Sequence, residues 1–415
     1  MSPFPIEFAR DQFPALPEAA PFVFFDNAAG AQVPQGVFDA IHDHLLHRNV
    51  QRGGRYRRSM EVDEALDRVR EFVAAFLNAR RPEEVAFGLN ATSFIRAVSL
   101  AVGHTLADRN DVIVSELDHE ANIATWLALE RMGATIRWWP ATREATLDPD
   151  VLDGLLSERT RIVACPLASN ATGSTVDVAA VARRVHAVGA ELFVDAVHYG
   201  PHGPIDVRAF DCDYLVCSGY KIFGPHMGFL WGRYESLMAL PTFREYFIPD
   251  LPPAKLEAGT SVYENIVAMG AALDYLESLG RRVEAEPRLG RRAALVAAMR
   301  GIRSYEATLS AALVGLAEQV PGLTVYGLAD ATRVTDRTPT LLFTVHGVAP
   351  AAVTDGLAAA DIGVRDGHMY APRLMRRLGV AVETGAVRAS LVHYNTLAEI
   401  ERMRDVLTRL AGGAA

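Results

Sequence analysis

The sequence predicts an α/β fold, in which a large domain with a mostly parallel sheet flanked by helices is followed by a smaller α+β C-terminal domain. Short apolar runs alternate with longer helical patterns between about residues 31 and 265, which is typical of a parallel sheet with helices on both faces. The pattern changes after the Arg-rich stretch near residues 281–292. With 415 residues, of which 50% are hydrophobic, the chain is long enough for two lobes with large cores.

Each predicted element follows from a local pattern of apolar residues. In the large domain, strands are predicted over residues 85–88, 111–115, 135–139, 161–165, 192–195 and 214–217, and helices over 93–102, 121–132, 178–188 and 264–279. In the small domain the order is helix 304–320, strand 323–326, strand 340–345, helix 349–359, strand 387–392 and helix 398–410. We expect an N-terminal segment over residues 1–30 that packs on the small lobe, a large domain over 31–280 and a small domain over 281–415.

The composition excludes several classes of function. A net charge of −9 and a pI near 5.8 argue against nucleic-acid binding, which needs a basic face. The three cysteines form no C-x-x-C pair, so we expect neither a disulfide framework nor a metal site. The N-terminus lacks the basic flank and apolar core of a secretory signal, and no apolar run approaches the ~20 residues of a membrane span. We expect a soluble cytoplasmic protein without nucleic-acid or membrane partners.

Lys221 stands out because arginine supplies nearly every other positive charge. Of the 41 Lys and Arg residues, only Lys221 and Lys255 are lysines. Arginine stays protonated in proteins, whereas a desolvated lysine can become a neutral amine nucleophile. Lys221 directly follows the strand predicted at 214–217, which favours such a role. Lys255 lies beside Pro252 and Pro253 and is interpreted as a surface lysine.

Polar residues follow the predicted strands where ligands bind in open α/β sheets, beyond the carboxyl ends of the strands. The turn after residues 85–88 contains Ala91 and Thr92 and opens a helix, and free backbone N–H groups at such a turn suit a phosphate. The residues that follow the other strands are His119, Asn170, Asp195, His198, Ser218 and Lys221.

Taken singly, each of these residues has a simpler interpretation, such as a helix cap, a turn carboxylate or a half-buried imidazole. Taken together, they suit the chemistry of pyridoxal 5′-phosphate (PLP). The aldehyde of PLP forms a Schiff base with a lysine, and its protonated pyridine nitrogen pairs with a carboxylate. An aromatic or imidazole ring stacks on the pyridine, while backbone and hydroxyl groups hold the phosphate.

A series of motifs along almost the whole chain resembles the cysteine desulfurases of the class V aminotransferase superfamily. The motifs are F-F-D-N-A-A (24–29), H-E-A-N-I-A-T-W (119–126), V-D-A-V-H (194–198), S-G-Y-K (218–221), E-A-G-T (257–260) and R-A-S-L-V-H-Y-N-T (388–396). The run D-A-V-H-Y-G-P-H-G-P-I-D (195–206) is similar to that of the "cysteine desulfurase-like" branch. The resemblance implies PLP fold type I, with PLP held by the large domain.

The resemblance also implies roles around the cofactor. Lys221 would form the Schiff base and act as general acid and base, and Asp195 would pair with the pyridine nitrogen. His119 would stack on the ring, and Asn170 would lie near a cofactor oxygen and the substrate carboxylate. The residues implied at the phosphate or a ring oxygen are Ala91, Thr92, Ser218 and His198, the last of which replaces a glutamine of the desulfurases.

On the substrate side, the resemblance implies a small-molecule amino-acid substrate whose carboxylate is clamped by Arg388. A guanidinium can grip a carboxylate with two parallel hydrogen bonds, for which lysine is a poor substitute. Thr260 would reach the phosphate of the neighbouring subunit, so the implied assembly is a homodimer with shared active sites.

One departure from the desulfurases bears directly on the reaction. Desulfurases carry a mobile-loop cysteine in a G-H-H-C-A context, and the matching stretch is Arg365-Asp-Gly-His-Met-Tyr-Ala, with Tyr370 at the cysteine position. A phenol cannot hold a persulfide, and Cys217 is predicted to point into packing from a strand. We therefore expect no persulfide step by this loop or by another cysteine.

The favoured hypothesis is cleavage of the C–S bond of a cysteine S-conjugate by β-elimination. Lys221 would take the α-proton, and Tyr370 would be a wall or a proton donor. Arg365 either contacts the substrate or forms a loop salt bridge. A decarboxylating or oxidative deaminase, or an aminotransferase acting on the same substrates, stays open as an alternative. A catalytically silent PLP-binding scaffold is a further alternative, against which the intact set of Lys221, Asp195 and Arg388 argues.

Overall fold

The computed structural model describes residues 4–413 and confirms the predicted α/β fold. Residues 1–3, 414 and 415 lie outside the described residues. The predicted N-terminal segment begins within residues 1–3, and so does the stretch that was judged not to be a secretory signal. The strands are β1 (Val23–Phe24), β2 (Val85–Gly88), β3 (Asp111–Ser115), β4 (Thr135–Trp139), β5 (Thr160–Pro166), β6 (Glu191–Asp195), β7 (Tyr214–Ser218), β8 (Gly228–Gly232), β9 (Leu323–Tyr326), β10 (Thr340–Val345), β11 (Ile362–Gly363), β12 (Arg365–Gly367) and β13 (Ala386–Ser390).

A seven-stranded sheet in the order β2-β8-β7-β6-β5-β3-β4 forms the large part of the molecule. β8 runs antiparallel to both of its neighbours, and all the other strands of this sheet run in one direction. Because parallel strands end at the same edge of a sheet, the residues that follow β3, β5, β6 and β7 are brought together there.

Fifteen α-helices lie within residues 4–413 and pack on the large sheet or in the C-terminal part. They are α1 (Ile6–Asp11), α2 (Ala15–Glu18), α3 (Gln35–His47), α4 (Arg57–Leu77), α5 (Ala91–Gly103), α6 (Ala121–Leu127), α7 (Pro149–Leu155), α8 (Val178–Ala187), α9 (Val207–Phe210), α10 (Tyr234–Ala239), α11 (Tyr263–Val283), α12 (Arg291–Gln319), α13 (Pro350–Ala358), α14 (Pro372–Leu378) and α15 (Leu397–Gly412). The helix predicted over 121–132 is α6 followed by a 3₁₀ turn, Ala128–Met132.

A second, antiparallel sheet in the order β12-β13-β10-β9 carries the C-terminal part. The N-terminal segment is tied to these elements, because β1 pairs in parallel with β11. Asn27 is buried and donates from Nδ2 to the carbonyl of Ser390 at 3.0 Å. The division at residues 30 and 280 stays a prediction.

α12 begins thirteen residues earlier than the predicted helix at 304–320, because it joins two hydrophobic cores. Its first half places Leu295 and Ile302 in the core of the large sheet, and its second half places Leu309 and Leu313 in the C-terminal core. The arginines between the apolar positions of the first half obscured the helical period in the sequence.

Two further sequence interpretations need correction. β8 was not predicted, although all five of its residues are buried. Lys255 is not a surface lysine, since it is only 4% exposed. Its Nζ lies 2.9 Å from Asp250 Oδ1 and donates to the carbonyl of Met238 at 3.1 Å, because the last carbonyls of α10 need donors that the helix cannot supply.

The three cysteines are unpaired and fully buried, as predicted for Cys217. Burial raises the pKa of Cys165, Cys212 and Cys217, which keeps each thiol protonated. Within residues 4–413, no helix is long and apolar enough to cross a membrane. The same residues contain no cluster of three or more His, Cys, Asp or Glu side chains that could hold a metal ion.

Candidate active site

A cavity of about 550 Å³, including its open mouth, lies at the carboxyl edge of the large sheet. The predicted site residues that line it are Ala91, Thr92, His119, Asn170, Asp195, His198, Ser218 and Lys221. The structure therefore brings together residues from the ends of β2, β3, β5, β6 and β7, as the parallel sheet predicts.

Lys221 ends a short 3₁₀ turn, Gly219–Lys221, that directly follows β7. Its Nζ donates a hydrogen bond to the carbonyl of Ala28 in the N-terminal segment. Burial, followed by the positive charge of Arg388, lowers the pKa of Lys221 to about 8. A lysine with this pKa exists in part as a neutral amine near neutral pH, which is the form that attacks carbonyl groups.

Asp195 is the last residue of β6 and is 8% exposed. Among the described residues, its side chain receives one hydrogen bond, from the backbone N–H of Val197 to Oδ1 at 2.9 Å. Burial raises the pKa of Asp195 to about 6, whereas the charge of Lys221 opposes the shift. A cationic N–H group placed in the cavity would hold this carboxylate in its charged form.

His119 lies at the mouth of the cavity, just before α6. Its Nδ1 accepts a hydrogen bond from the backbone N–H of Ala121 at 3.0 Å, so the proton of the neutral ring is on Nε2. Burial, helped by the charges of Lys221 and Arg388, lowers the pKa of His119 to about 4. The ring is therefore neutral and fixed in orientation at physiological pH.

The N-terminus of α5 forms one end of the cavity. Asn90 caps the helix by accepting a hydrogen bond from the N–H of Ser93 at 2.9 Å. The N–H groups of Ala91 and Thr92 precede the first intrahelical bonds and are available to an anion. Gly228 of β8 allows this helix end to come close, since a Cβ there would lie 2.4 Å from the carbonyl carbon of Asn90.

His198 lines the cavity but also contacts the C-terminal sheet. Its Nε2 lies 3.2 Å from Thr338 Oγ1 and 3.1 Å from Thr340 Oγ1. Burial and the nearby His202 lower the pKa of His198 well below its usual value, so the ring is neutral. Ser218, at the end of β7, is 2% exposed and lines the cavity beside it.

Arg388 lies beside the cavity on β13 and is 2% exposed. It donates to the carbonyl of Asn170 at 2.9 Å and to Asp26 Oδ1 at 3.0 Å. Arg365, opposite it on β12, binds the other oxygen of Asp26 from Nε at 3.0 Å and from Nη2 at 2.8 Å. The salt bridge that was one of the two roles predicted for Arg365 is thus present. Its partner, Asp26, also binds Arg388.

Two buried polar atoms beside these contacts have no hydrogen-bond partner within residues 4–413: Asn170 Oδ1 and Arg388 Nε. Buried polar groups are usually paired in proteins, so these two atoms are able to accept from and donate to a ligand. The Nδ2 group of Asn170 is already in use, because it donates to the carbonyl of Met369 at 2.7 Å.

The loop that carries Tyr370 rests against the mouth of the cavity. The ring centroids of Tyr370 and His119 are 5.5 Å apart, and the carbonyl of Tyr370 accepts a hydrogen bond from the N–H of Glu120 at 2.8 Å. Met369 and Tyr370 have φ values of 52° and 56°. Two consecutive non-glycine residues with left-handed backbone are uncommon and are held only where surrounding contacts fix them.

Thr260 is exposed and does not line the cavity of its own chain, so its contact with a neighbouring subunit stays a prediction. Sequence reasoning also missed three contributors. Asp26 and Ala28 belong to the F-F-D-N-A-A motif, which was quoted without a role for either residue. Asp118 lines the cavity and holds Asn122 of α6 at 2.9 Å, and its position directly before His119 was the available signal.

The fold and the cavity define an α/β protein with a buried lysine of lowered pKa at the carboxyl edge of its sheet. The family model described as Aminotransferase class-V matches residues 23–403. The chain is 33% identical to the aminotransferase-like protein FGM3 of Gibberella zeae over 97% of each chain, and 34% identical to a cysteine desulfurase of Dickeya dadantii over 98% and 97% of the two chains. A cysteine desulfurase of Thermococcus onnurineus superposes with a TM-score of 0.86 at 26% identity, covering 100% and 99% of the two chains.

The chain belongs to the aminotransferase class-V family and is similar to cysteine desulfurases over its full length. Membership of this family implies dependence on PLP. The predicted resemblance is confirmed, and so is the fold that it implied.

Proposed function

We propose that this protein is a PLP-dependent lyase that cleaves the C–S bond of a cysteine S-conjugate by β-elimination. The observation that carries the proposal is Tyr370, which lies beside His119 at the mouth of the cavity in place of the persulfide-forming cysteine. The three cysteines of the chain are buried and protonated, so they do not replace it. The amino-acid substrate is inferred from the family and from relatives named cysteine desulfurase.

The donor set of the cavity fits PLP. The phosphate is proposed to lie at the N-terminus of α5, where it accepts hydrogen bonds from the N–H groups of Ala91 and Thr92. Ser218 would be a further donor. The pyridine nitrogen would face Asp195, whose carboxylate forms no salt bridge within the described residues, and His119 would stack on the ring. When bound, PLP withdraws electrons from the bonds to the substrate Cα.

Lys221 is proposed to move the α-proton. With its pKa at about 8, Nζ accepts a proton from a substrate carbon and returns it to water within one turnover. The neutral, oriented ring of His119 does not compete for this proton, because its pKa is about 4.

Arg388 and Asn170 are proposed to hold the α-carboxylate of the substrate. Arg388 is fixed by its bonds to Asp26 and to the carbonyl of Asn170, and its Nε still lacks a partner among residues 4–413. A charge-assisted hydrogen bond to a carboxylate would satisfy this donor.

Tyr370 is proposed to protonate the leaving sulfur. Its side chain is 54% exposed at the mouth, where the S-substituent of the substrate would extend. The Cα–H bond breaks with its proton going to Lys221, and the Cβ–S bond breaks with its electron pair staying on sulfur. Sulfur takes a proton from Tyr370 Oη, which regains one from water as Lys221 releases the α-proton to water. Hydrolysis of the remaining three-carbon product by one water then gives pyruvate and ammonia. No external oxidant or reductant is needed.

The homodimer is part of the same proposal. Thr260 is exposed and lies outside the cavity of its own chain, which is compatible with a role at the phosphate of a second copy. Sedimentation of the PLP-loaded protein tests this, because a monomer at micromolar concentration would contradict shared sites.

The reaction is tested by incubating the PLP-loaded protein with L-cysteine and with a panel of S-alkyl and S-aryl cysteines. We expect equal amounts of pyruvate, ammonia and free thiol from the S-substituted compounds and little sulfide from cysteine. Release of CO₂ or an aldehyde would instead identify a decarboxylating or oxidative deaminase, and an absence of turnover would favour a silent scaffold. Desulfurase-like sulfide release from cysteine would contradict the role given to Tyr370.

Two variants separate the roles of the side chains. Tyr370→Phe keeps the ring beside His119 but removes the acid, so we expect thiol release to fall by about 10²-fold or more while PLP absorbance is retained. Lys221→Ala removes the amine and should abolish the yellow colour together with turnover. Colour that persists in Lys221→Ala would overturn the assignment of the lysine.

A further inference from the structure

We propose that Asp26 limits the substrate site to ligands with a single carboxylate, by neutralising one of the two arginines beside the cavity. The inference rests on the proposed role of Arg388 in holding the substrate carboxylate. It concerns the charge that the site accepts, and it does not depend on which bond of the substrate is broken.

Asp26 forms a bridge between two arginines. Its Oδ1 lies 3.0 Å from Arg388 Nη2, and its Oδ2 accepts hydrogen bonds from Arg365 Nε at 3.0 Å and Nη2 at 2.8 Å. The two arginines are directly opposite each other in the β12–β13 pair. Without the carboxylate, two like charges would face each other across neighbouring strands, which is unfavourable.

The backbone at Asp26 is held in place by contacts of the N-terminal segment with Ser390. Asp26 forms a β-bridge with Ser390, and the next two residues are also bound there. Asn27 donates to the carbonyl of Ser390 at 3.0 Å, and the N–H of Ala28 donates to Ser390 Oγ at 2.8 Å. The backbone that carries Asp26 is therefore fixed, and its carboxylate is oriented by the two arginines.

The charges of Arg388, Arg365 and Asp26 determine how many ligand carboxylates these three side chains can neutralise. Two guanidinium groups and one carboxylate leave a net charge of +1, which one substrate carboxylate neutralises. Arg388 is buried with Nε unpaired among the described residues, so it has a donor to offer to a ligand. Arg365 uses two of its donors on Asp26, and a second ligand carboxylate at this arginine would meet the negative charge of Asp26.

The pKa of Lys221 depends on the charges of the same three side chains. Asp26 raises the pKa of Lys221, whereas Arg388 and Arg365 lower it. Replacing Asp26 by a neutral residue therefore lowers the pKa of Lys221 further, and the pH titration of the apoprotein's reactivity toward an aldehyde moves to lower pH. This shift verifies that the charge, and not only the shape, of the site has changed.

The test compares two amino acids that lack an α-proton and cannot be eliminated, 2-aminoisobutyrate with one carboxylate and α-methylaspartate with two. Their dissociation constants are measured from the absorbance change of the PLP-loaded protein. We expect the natural chain to prefer the monocarboxylate by tenfold or more, since like-charge contacts are strongly unfavourable in such sites. In Asp26→Asn, Arg365 is released, and the preference should fall at least tenfold or invert.

Further variants test whether the net charge of Asp26, Arg365 and Arg388 determines which ligand binds. Arg365→Gln leaves Arg388 and Asp26 with no net charge, so both ligands should bind at least tenfold more weakly. The double variant Asp26→Asn/Arg365→Gln returns the net charge to +1 and should restore the preference for one carboxylate. Arg377→Gln is the matched control, because Arg377 is also 41% exposed in a 2.8 Å salt bridge, with Glu116, and should change neither constant.

The results of these binding experiments distinguish a failure of the Asp26 inference from a failure of the proposed reaction. An unchanged ligand preference in Asp26→Asn, or a double variant that fails to restore it, overturns the inference. If Asp26→Asn does not fold, undiminished binding of both ligands to Arg365→Gln overturns it equally. If the preferences change as expected but no S-conjugate is cleaved, only the proposed reaction fails. Failure of the natural chain to bind either amino acid overturns the amino-acid substrate and this inference together.

Discussion

Gly228→Ala should weaken PLP binding although residue 228 carries no functional group. A Cβ at this position would lie 2.4 Å from the carbonyl carbon of Asn90 and 2.7 Å from the backbone nitrogen of Ala91, where ordinary contacts begin at 3.4 Å. The neighbouring atoms are backbone and cannot rotate away. The clash is therefore relieved by moving the start of α5 by about 1 Å, and the proposed phosphate site moves with it.

The expected loss of PLP affinity follows from the hydrogen bonds that the N–H groups at the start of α5 would lose to the phosphate. Losing one hydrogen bond from a helix N–H to a charged group costs about 1.5–3 kcal/mol, which corresponds to roughly 10- to 150-fold in the dissociation constant for PLP. Overpacking between β8 and α5 should also lower the free energy of unfolding by about 1–3 kcal/mol. Titrating the apoprotein with PLP by absorbance gives the first quantity, and urea unfolding of the apoprotein gives the second.

Gly154→Ala is the control for the loss of a glycine. Nothing lies within 4 Å of a Cβ at residue 154, which is inside α7 and has no positive φ. We expect unchanged PLP affinity and a stability gain of about 0.5–1 kcal/mol, since alanine is the better helix former. A folded Gly228→Ala protein that binds PLP as tightly as the control would refute the placement of the phosphate at the start of α5.

Three further outcomes are expected. Because the pKa of Lys221 is about 8 in the folded apoprotein and about 10.4 in the unfolded chain, the unfolded chain binds more protons at this lysine between these values. Lys221 therefore contributes a positive slope to the free energy of unfolding against pH, whereas the buried thiols of raised pKa contribute a negative one. Urea unfolding should show a less positive slope in Lys221→Met, and an equal slope would contradict the shifted pKa. Arg388→Lys keeps the charge but loses the planar fork, so KM should rise by about tenfold or more while PLP absorbance is unchanged; an unaltered KM would exclude Arg388 from substrate binding. The buried thiols of Cys165, Cys212 and Cys217 should resist a disulfide reagent until the protein is denatured, and rapid labelling of the native protein would reopen the persulfide route.

The cavity could be predicted from the sequence because its residues come from strand ends. A buried apolar run followed by a polar residue gives both the strand and the position of the side chain, as in β6 with Asp195 and β7 with Ser218. The direction of parallel strands then brings such positions to one edge without any knowledge of strand order. The reasoning fails where strand direction changes. β8 is antiparallel, and its role is to bring Gly228 against α5, which no pattern within β8 encodes.

The proposed carboxylate site could not be predicted in this way, because it is assembled from segments far apart in the sequence. Asp26 is 339 residues from Arg365 and 362 residues from Arg388. Each of the three has an ordinary local interpretation, as a turn carboxylate or as a charged residue on a strand. The N-terminal segment also supplies the carbonyl of Ala28 to Lys221, so the docking of one short segment completes both the lysine site and the arginine pair. In the proposal, a tertiary contact thus sets the charge that a substrate meets, and changing that contact should change both which amino acids bind and the pKa of Lys221.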